Sequence, residues 1–153
     1  MRVFYGEFHL KIDSKGRASI PKELRDLLLE NFGEDALVVT KSVSPGLHAY
    51  PSSEFAAFKE SIDRQENSAE KSAMKLLMLT PATKVALDQL GRLPIPRSLR
   101  HYAHLNSDEK KDIVVVGMEN RIEIWEADLY QQIVDKAASR LQESPDFLSQ
   151  FGM

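Results

Sequence analysis

Residues 12–25, IDSKGRASIPKELR, return in recognisable form at residues 87–100 as LDQLGRLPIPRSLR. Setting Ile12 on Leu87 brings Asp13 onto Asp88, Gly16 onto Gly91, Arg17 onto Arg92, Ile20 onto Ile95, Pro21 onto Pro96, Leu24 onto Leu99 and Arg25 onto Arg100. Identity at so many positions in one register marks an internal duplication, which constrains architecture more than any local signal. Weaker echoes extend it: ALVVT (36–40) matches DIVVVG (112–117), and LHAYP (47–51) matches IEIWE (122–126). The chain therefore reads as two copies of one unit.

Each copy has the same local grammar. VFYGEFHLKI alternates with a period near two, which predicts a strand; DSKG supplies Asp and Gly at the ends of a type I turn, and RASI returns as the second strand. Pro21 suits the first turn of a helix, where its missing N–H has no helical partner, and Leu24, Leu27 and Leu28 give that helix a buried face ending near Asn31–Gly33. Two further strands follow, joined by KSVSPG in the first copy and MENR in the second. SSEFAAFKESI and EADLYQQIVDKAASRL then close each copy with an amphipathic helix. These signals predict a first unit over 3–63, a polar connector and linking apolar helix over 64–80, a second unit over 81–142, and a tail over 143–153 that is loosely ordered or docked on a neighbour.

A unit of about forty residues with four strands and a short helix makes a poor core alone. Two such units in one chain can close on each other, and 153 residues with 42% hydrophobic content suffice for a shared core. The expected fold is α+β, mainly β: a tandem-duplicated β-barrel with short helices and a pseudo-twofold axis, the DSKG and DQLG hairpins side by side on one face.

Composition narrows the chemistry. Cysteine is absent, which excludes disulfide scaffolds, thiolate metal sites and cysteine nucleophiles, and fits a cytoplasmic protein. No apolar run reaches the length of a membrane span. His101 and His104 stand at i, i+3, yet no carboxylate lies at a ligand spacing, so no metal site or other cofactor is expected. Neither a G-x-S-x-G elbow nor a G-x-x-x-x-G-K-S/T phosphate loop occurs, and an enzyme is not expected. Tyr50 and Trp125 occupy equivalent positions and read as packing aromatics. The net charge of −3 argues mildly against a nucleic-acid partner, but its distribution does not. Residues 82–104 carry Lys84, Arg92, Arg97, Arg100, His101 and His104 against one acid, Asp88, while NSDEKKD and the closing helices collect the acids.

The paired Asp-x-x-Gly-Arg motif, the Ile-Pro and Leu-Arg that follow it, and LHAYP and IEIWE together resemble the MraZ family of bacterial regulators, within the AbrB-type swapped-hairpin proteins. The resemblance covers roughly residues 3–135. It implies a transcription factor on the nucleoid that binds double-stranded DNA at direct repeats upstream of the division and cell-wall gene cluster, its own promoter included. It also implies that the duplicated barrel is of the swapped-hairpin kind, and a homo-oligomeric ring with the Asp-x-x-x-Arg segments facing DNA.

Transferred residue by residue, Arg17 and Arg92 are the leading DNA contacts, able to grip a phosphate or to read guanine with two parallel hydrogen bonds. Lys15 sits at the first tip, within reach of a phosphate. Gln89 and Leu90 replace Ser14 and Lys15 at the second tip, which then contacts bases or nothing, so equal roles for the halves do not follow. Asp13, Gly16, Asp88 and Gly91 are what any tight hairpin asks for. Pairing of Arg17 with Asp13 across the turn, and salt-bridged helix faces at Arg25, Arg97 and Arg100, are the purely structural alternatives. An antitoxin-like or nucleoid-associated protein acting through a protein partner is the second functional expectation. A metal-dependent hydrolase using His101 and His104 is a third.

Overall fold

In the computed structural model, which describes residues 3–106 and 111–153, the alternating segments form eight strands. They are β1 (Glu7–Ile12), β2 (Arg17–Ser19), β3 (Ala36–Lys41), β4 (Leu47–Tyr50), β5 (Thr83–Ala86), β6 (Arg92–Pro94), β7 (Lys111–Met118) and β8 (Arg121–Glu126). All pair antiparallel in the order β5-β3-β4-β8-β7-β1-β2-β6. The turn at Asp88–Gly91 joins the two ends of this order, so the sheet curls into a nearly closed barrel. Part of NSDEKKD lies outside the described residues.

The hairpins are exchanged between the units. β1 pairs with β7 of the other unit and β5 with β3, while β2 and β6 pair with each other. The register exposes the pseudo-twofold axis. Ala18 faces Leu93 in the β2–β6 pair and His48 faces Glu123 in the β4–β8 pair, and each couple consists of residues that the repeat equates. The axis therefore runs through these two couples, which lie on opposite sides of the barrel, one at the middle and one at the end of the strand order.

Periodicity explains the core. The inward residues of the strands, among them Ala18, Leu37, Val39, Leu47, Leu93, Ile113, Val115, Ile122 and Ile124, are essentially inaccessible. Leu24 and Leu28 of α1 (Lys22–Phe32) join them, and α1 ends as expected, with Gly33 in the left-handed conformation. Burying one such leucine stabilises the fold by roughly 1.5–3 kcal/mol, so neither unit is expected to keep its fold alone. Outside the barrel, Tyr50 packs under Phe55 and Phe58 of α2 (Ser52–Asp63). Trp125 packs with Tyr130 of α5 (Ala127–Gln142).

Three segments differ from the sequence expectation. β1 starts at Glu7, because Gly6 takes a φ of 113° and interrupts the alternating run; Phe4 instead forms an isolated bridge with Glu119. The polar stretch after α2 contains a helix start: Ser68 Oγ accepts the Lys71 amide at 3.0 Å and caps α3 (Ala69–Met74), which widens into a π-helical turn over Lys75–Leu79. That turn buries Met78, whose carbonyl accepts the Thr40 hydroxyl. The tail forms a short helix, α6 (Pro145–Ser149), with Phe147 and Phe151 packed on each other and largely exposed.

Candidate nucleic-acid interface

Each hairpin turn is built from one carboxylate used twice. Asp13 Oδ1 accepts the amides of Lys15 (3.0 Å) and Arg17 (2.9 Å), while Oδ2 accepts Arg17 Nε at 2.7 Å. Asp88 repeats the arrangement with the amides of Leu90 and Arg92, each at 2.9 Å, and Arg92 Nε at 2.7 Å. Turn chemistry and ion pairing, the two structural readings of these residues, are thus the two oxygens of one side chain. Burial pushes the Asp13 carboxyl up, but the amide and guanidinium of Arg17 and the Lys15 amide more than offset it and hold the group below its ordinary value. Asp88 is lowered chiefly by the Arg92 amide. Both acids stay ionised and fix the plane of their arginines. Nε is committed in each case, and among the described residues neither guanidinium has a partner for its terminal amines.

The strand register places these arginines together. Ala18 and Leu93 point into the core, so alternation sends Arg17, Ser19, Arg92 and Pro94 to the outer face of the β2–β6 ribbon. Arg17 lies opposite Pro94, and Ser19 opposite Arg92. The two arginines therefore sit on a diagonal, about 7–8 Å apart at the backbone, related by the pseudo-twofold axis. Lys15 and Gln89 are exposed at the flanking tips, and Leu90 is 70% exposed.

Two residues whose placement the sequence left open complete the site. Arg100, on α4 (Arg97–Tyr102), lays its guanidinium over the first turn: Nη1 donates to the Lys15 carbonyl at 3.0 Å, and a Cβ at Gly16 would lie 1.4 Å from that nitrogen. Arg25, on α1, covers the second turn, and a Cβ at Gly91 would lie 2.6 Å from its Cδ and Nε. Both glycines also have φ near +80° (79° and 77°), so each is required twice over. The Ile20 amide donates to Gly91 and the Ile95 amide to Gly16. Each unit's helix thus braces the other unit's tip. The signal was present in the repeat, which equates Arg25 with Arg100, but only the exchanged topology shows what they touch.

Among the described residues, His101 and His104 are not joined by further metal ligands. His104 lies beyond the end of α4 with a φ of 60°, and no group of three or more His, Asp or Glu suited to a metal occurs among the described residues. Among those residues no helix is long and apolar enough to cross a membrane.

The repeat in this geometry is matched by comparison with known proteins. A family model described as "MraZ protein, putative antitoxin-like" matches twice, over residues 3–77 and 78–148. The chain belongs to the MraZ family. Relatives named "Transcriptional regulator MraZ" include one from Syntrophotalea carbinolica, 36% identical over 97% of this chain and 98% of its own length. One from Pediococcus pentosaceus is 33% identical over 99% of this chain and all of its own. A third, from Symbiobacterium thermophilum, is 36% identical over 90% of this chain and 94% of its own. MraZ is a family of transcriptional regulators, not of enzymes, in keeping with the missing nucleophile and phosphate-loop signatures.

Proposed function

We propose that this MraZ-family protein is a cytoplasmic, nucleoid-associated transcription factor that presents the β2–β6 ribbon to double-stranded DNA. The observation that carries the reading is the outward-facing, part-buried diagonal of Arg17 and Arg92, each oriented by an aspartate and each keeping its terminal amines for a ligand. The major groove admits a two-stranded ribbon, and an arginine aligned in this way suits either a phosphate or the O6 and N7 of guanine. Lys15 and Gln89 flank the diagonal and serve as further contacts, while Asp13, Gly16, Asp88 and Gly91 shape the tips. The repeat units over 3–63 and 81–142 act as the two halves of one reading head.

One ribbon offers few contacts, so a single chain binds weakly. A homo-oligomeric ring would present several ribbons and gain avidity through effective concentration. A head-to-tail ring repeats one contact without inversion, which favours direct repeats over palindromes. The target is a set of such boxes upstream of the division and cell-wall gene cluster, including the protein's own promoter. Anisotropy titrations with intact and scrambled repeats across a salt series test this. Much tighter binding to intact repeats, lost in Arg17→Ala and Arg92→Ala variants that remain folded, supports it; equal binding to both duplexes overturns it. The exposed Phe147 and Phe151 favour a second reading, in which an antitoxin-like role runs through a protein partner on the tail. Co-purification of a small protein that is lost with the tail would favour that reading.

A further inference from the structure

The pseudo-twofold axis relates backbone but not charge. Lys22 of α1 forms an i, i+4 ion pair with Asp26 at 2.8 Å. Their repeat equivalents on α4 are Arg97 and His101, and among the described residues neither has an ion-pair partner. α1 carries Glu23, Asp26 and Glu30; α4, RSLRHY, carries no acid. The tips differ in the same way, with Lys15 on the first and Leu90 on the second.

Exchange of the hairpins turns these local differences into a lopsided face. Because each helix braces the other unit's tip, the acid-free helix α4 adjoins the tip that carries Lys15, and the Arg100 guanidinium ties the two together. The acid-bearing helix α1 adjoins the tip that carries Leu90, through Arg25 and Gly91. The cationic side continues beyond the ribbon. Lys41, Arg97, Ser98, His101, Tyr102 and Asn106 line one open cleft, with no acidic side chain among the described residues that line it. Lys41 lies over the Tyr102 ring at 4.9 Å, which holds its ammonium at this rim.

We propose that this side, running from Lys15 over Arg100 and Arg97 to Lys41, is a docking surface for the sugar-phosphate backbone of DNA flanking the box read by the ribbon. The opposite side makes no equivalent phosphate contact. The inference rests on the DNA-binding reading above and adds polarity to it: each chain grips the backbone on one side of its axis only. Fused, diverged halves permit this, whereas a symmetric dimer would contact both sides alike.

The test compares Arg97→Ala with its repeat equivalent Lys22→Ala, both at exposed helix starts where the fold is expected to survive, with thermal melts as control. Each phosphate contact contributes about 0.9 to the slope of log K against log salt. Arg97→Ala is expected to lower that slope by about 0.9 on intact and scrambled duplexes alike, and to elute earlier than wild type from immobilised heparin. Lys22→Ala is expected to leave both readouts unchanged. Equal effects of the two variants, or no effect of Arg97→Ala, overturn the polarity. An Arg97→Ala effect confined to intact repeats overturns the phosphate assignment. If wild type does not distinguish intact from scrambled repeats, the sequence-specific reading fails, while slopes on scrambled DNA and heparin elution still decide the cationic surface.

Discussion

Replacing Glu123 by Gln tests whether the polar group on the pseudo-twofold axis holds the barrel by its charge. Glu123 is 6% exposed. Its Oε1 accepts Trp125 Nε1 at 3.0 Å, and Oε2 accepts Arg121 at 2.7 Å and faces His48 Nε2 at 3.3 Å. Burial alone would raise its pKa, but the hydrogen bonds with His48 and Trp125 and the charge of Arg121 prevail and bring it from 4.5 to about 2. At about 1.4 kcal/mol per unit, the ionised form contributes on the order of 3 kcal/mol. The folded pKa lies below the unfolded one, so this stability is complete above pH 4.5 and fades as pH falls toward 2. Urea unfolding of wild type and Glu123→Gln at constant ionic strength reads the difference directly, because losses at Asp13, Asp88 and Glu7 occur in both proteins. The variant should be less stable by roughly 3 kcal/mol at neutral pH, with the gap closing in acid. A gap that is absent at pH 7, or constant down to pH 3, would refute the reasoning.

The remaining predictions concern the tips. Gly16→Ala meets both a φ of 79° and the Arg100 guanidinium, whereas Gly33→Ala meets a φ of 63° with nothing within 4 Å. The latter should cost about 1 kcal/mol and the former clearly more, measured as shifts in urea midpoint. Asp13→Asn preserves an acceptor for the turn amides but removes the anion beside Arg17 Nε; DNA affinity should fall toward that of Arg17→Ala while the protein stays folded with a lowered melting temperature, and unchanged affinity would separate Asp13 from binding. Leu90→Lys should strengthen binding to scrambled DNA and steepen the salt slope by up to about 0.9, and a flat response would place the second tip away from phosphate.

Much of the fold could be read locally. The turns at Asp13–Gly16 and Asp88–Gly91, the helices after Pro21 and Pro96 and the packing roles of Tyr50 and Trp125 all rest on spacing and on side-chain chemistry within a few residues. The exchange of hairpins had no such local signal and was expected only from the family resemblance, since pairing β1 with β7 as well as with β2 joins residues a hundred positions apart. For the same reason the arginines of the motif were visible while the bracing by Arg25 and Arg100 was not. The β1 start shifted because alternation counts side chains and overlooks the backbone freedom of Gly6. The linking helix was expected, but its start at Ala69 was hidden because a run of polar residues reads as linker until the Ser68 cap is recognised.

The axis shows what duplication allows. In a symmetric dimer, a residue on the twofold meets itself: two copies of Glu123 would bring buried carboxylates together, and two copies of Leu93 would crowd the space that Leu93 now shares with Ala18. Fusing two units frees these positions to diverge into an acid facing a histidine and a large residue facing a small one. Both couples favour pairing of unlike halves over like halves, by charge at one end of the axis and by volume at the other. The same freedom lets one tip carry Lys15 and the other Leu90, so the asymmetry that secures the pairing of the halves and the asymmetry of the outer face both rest on the repeat.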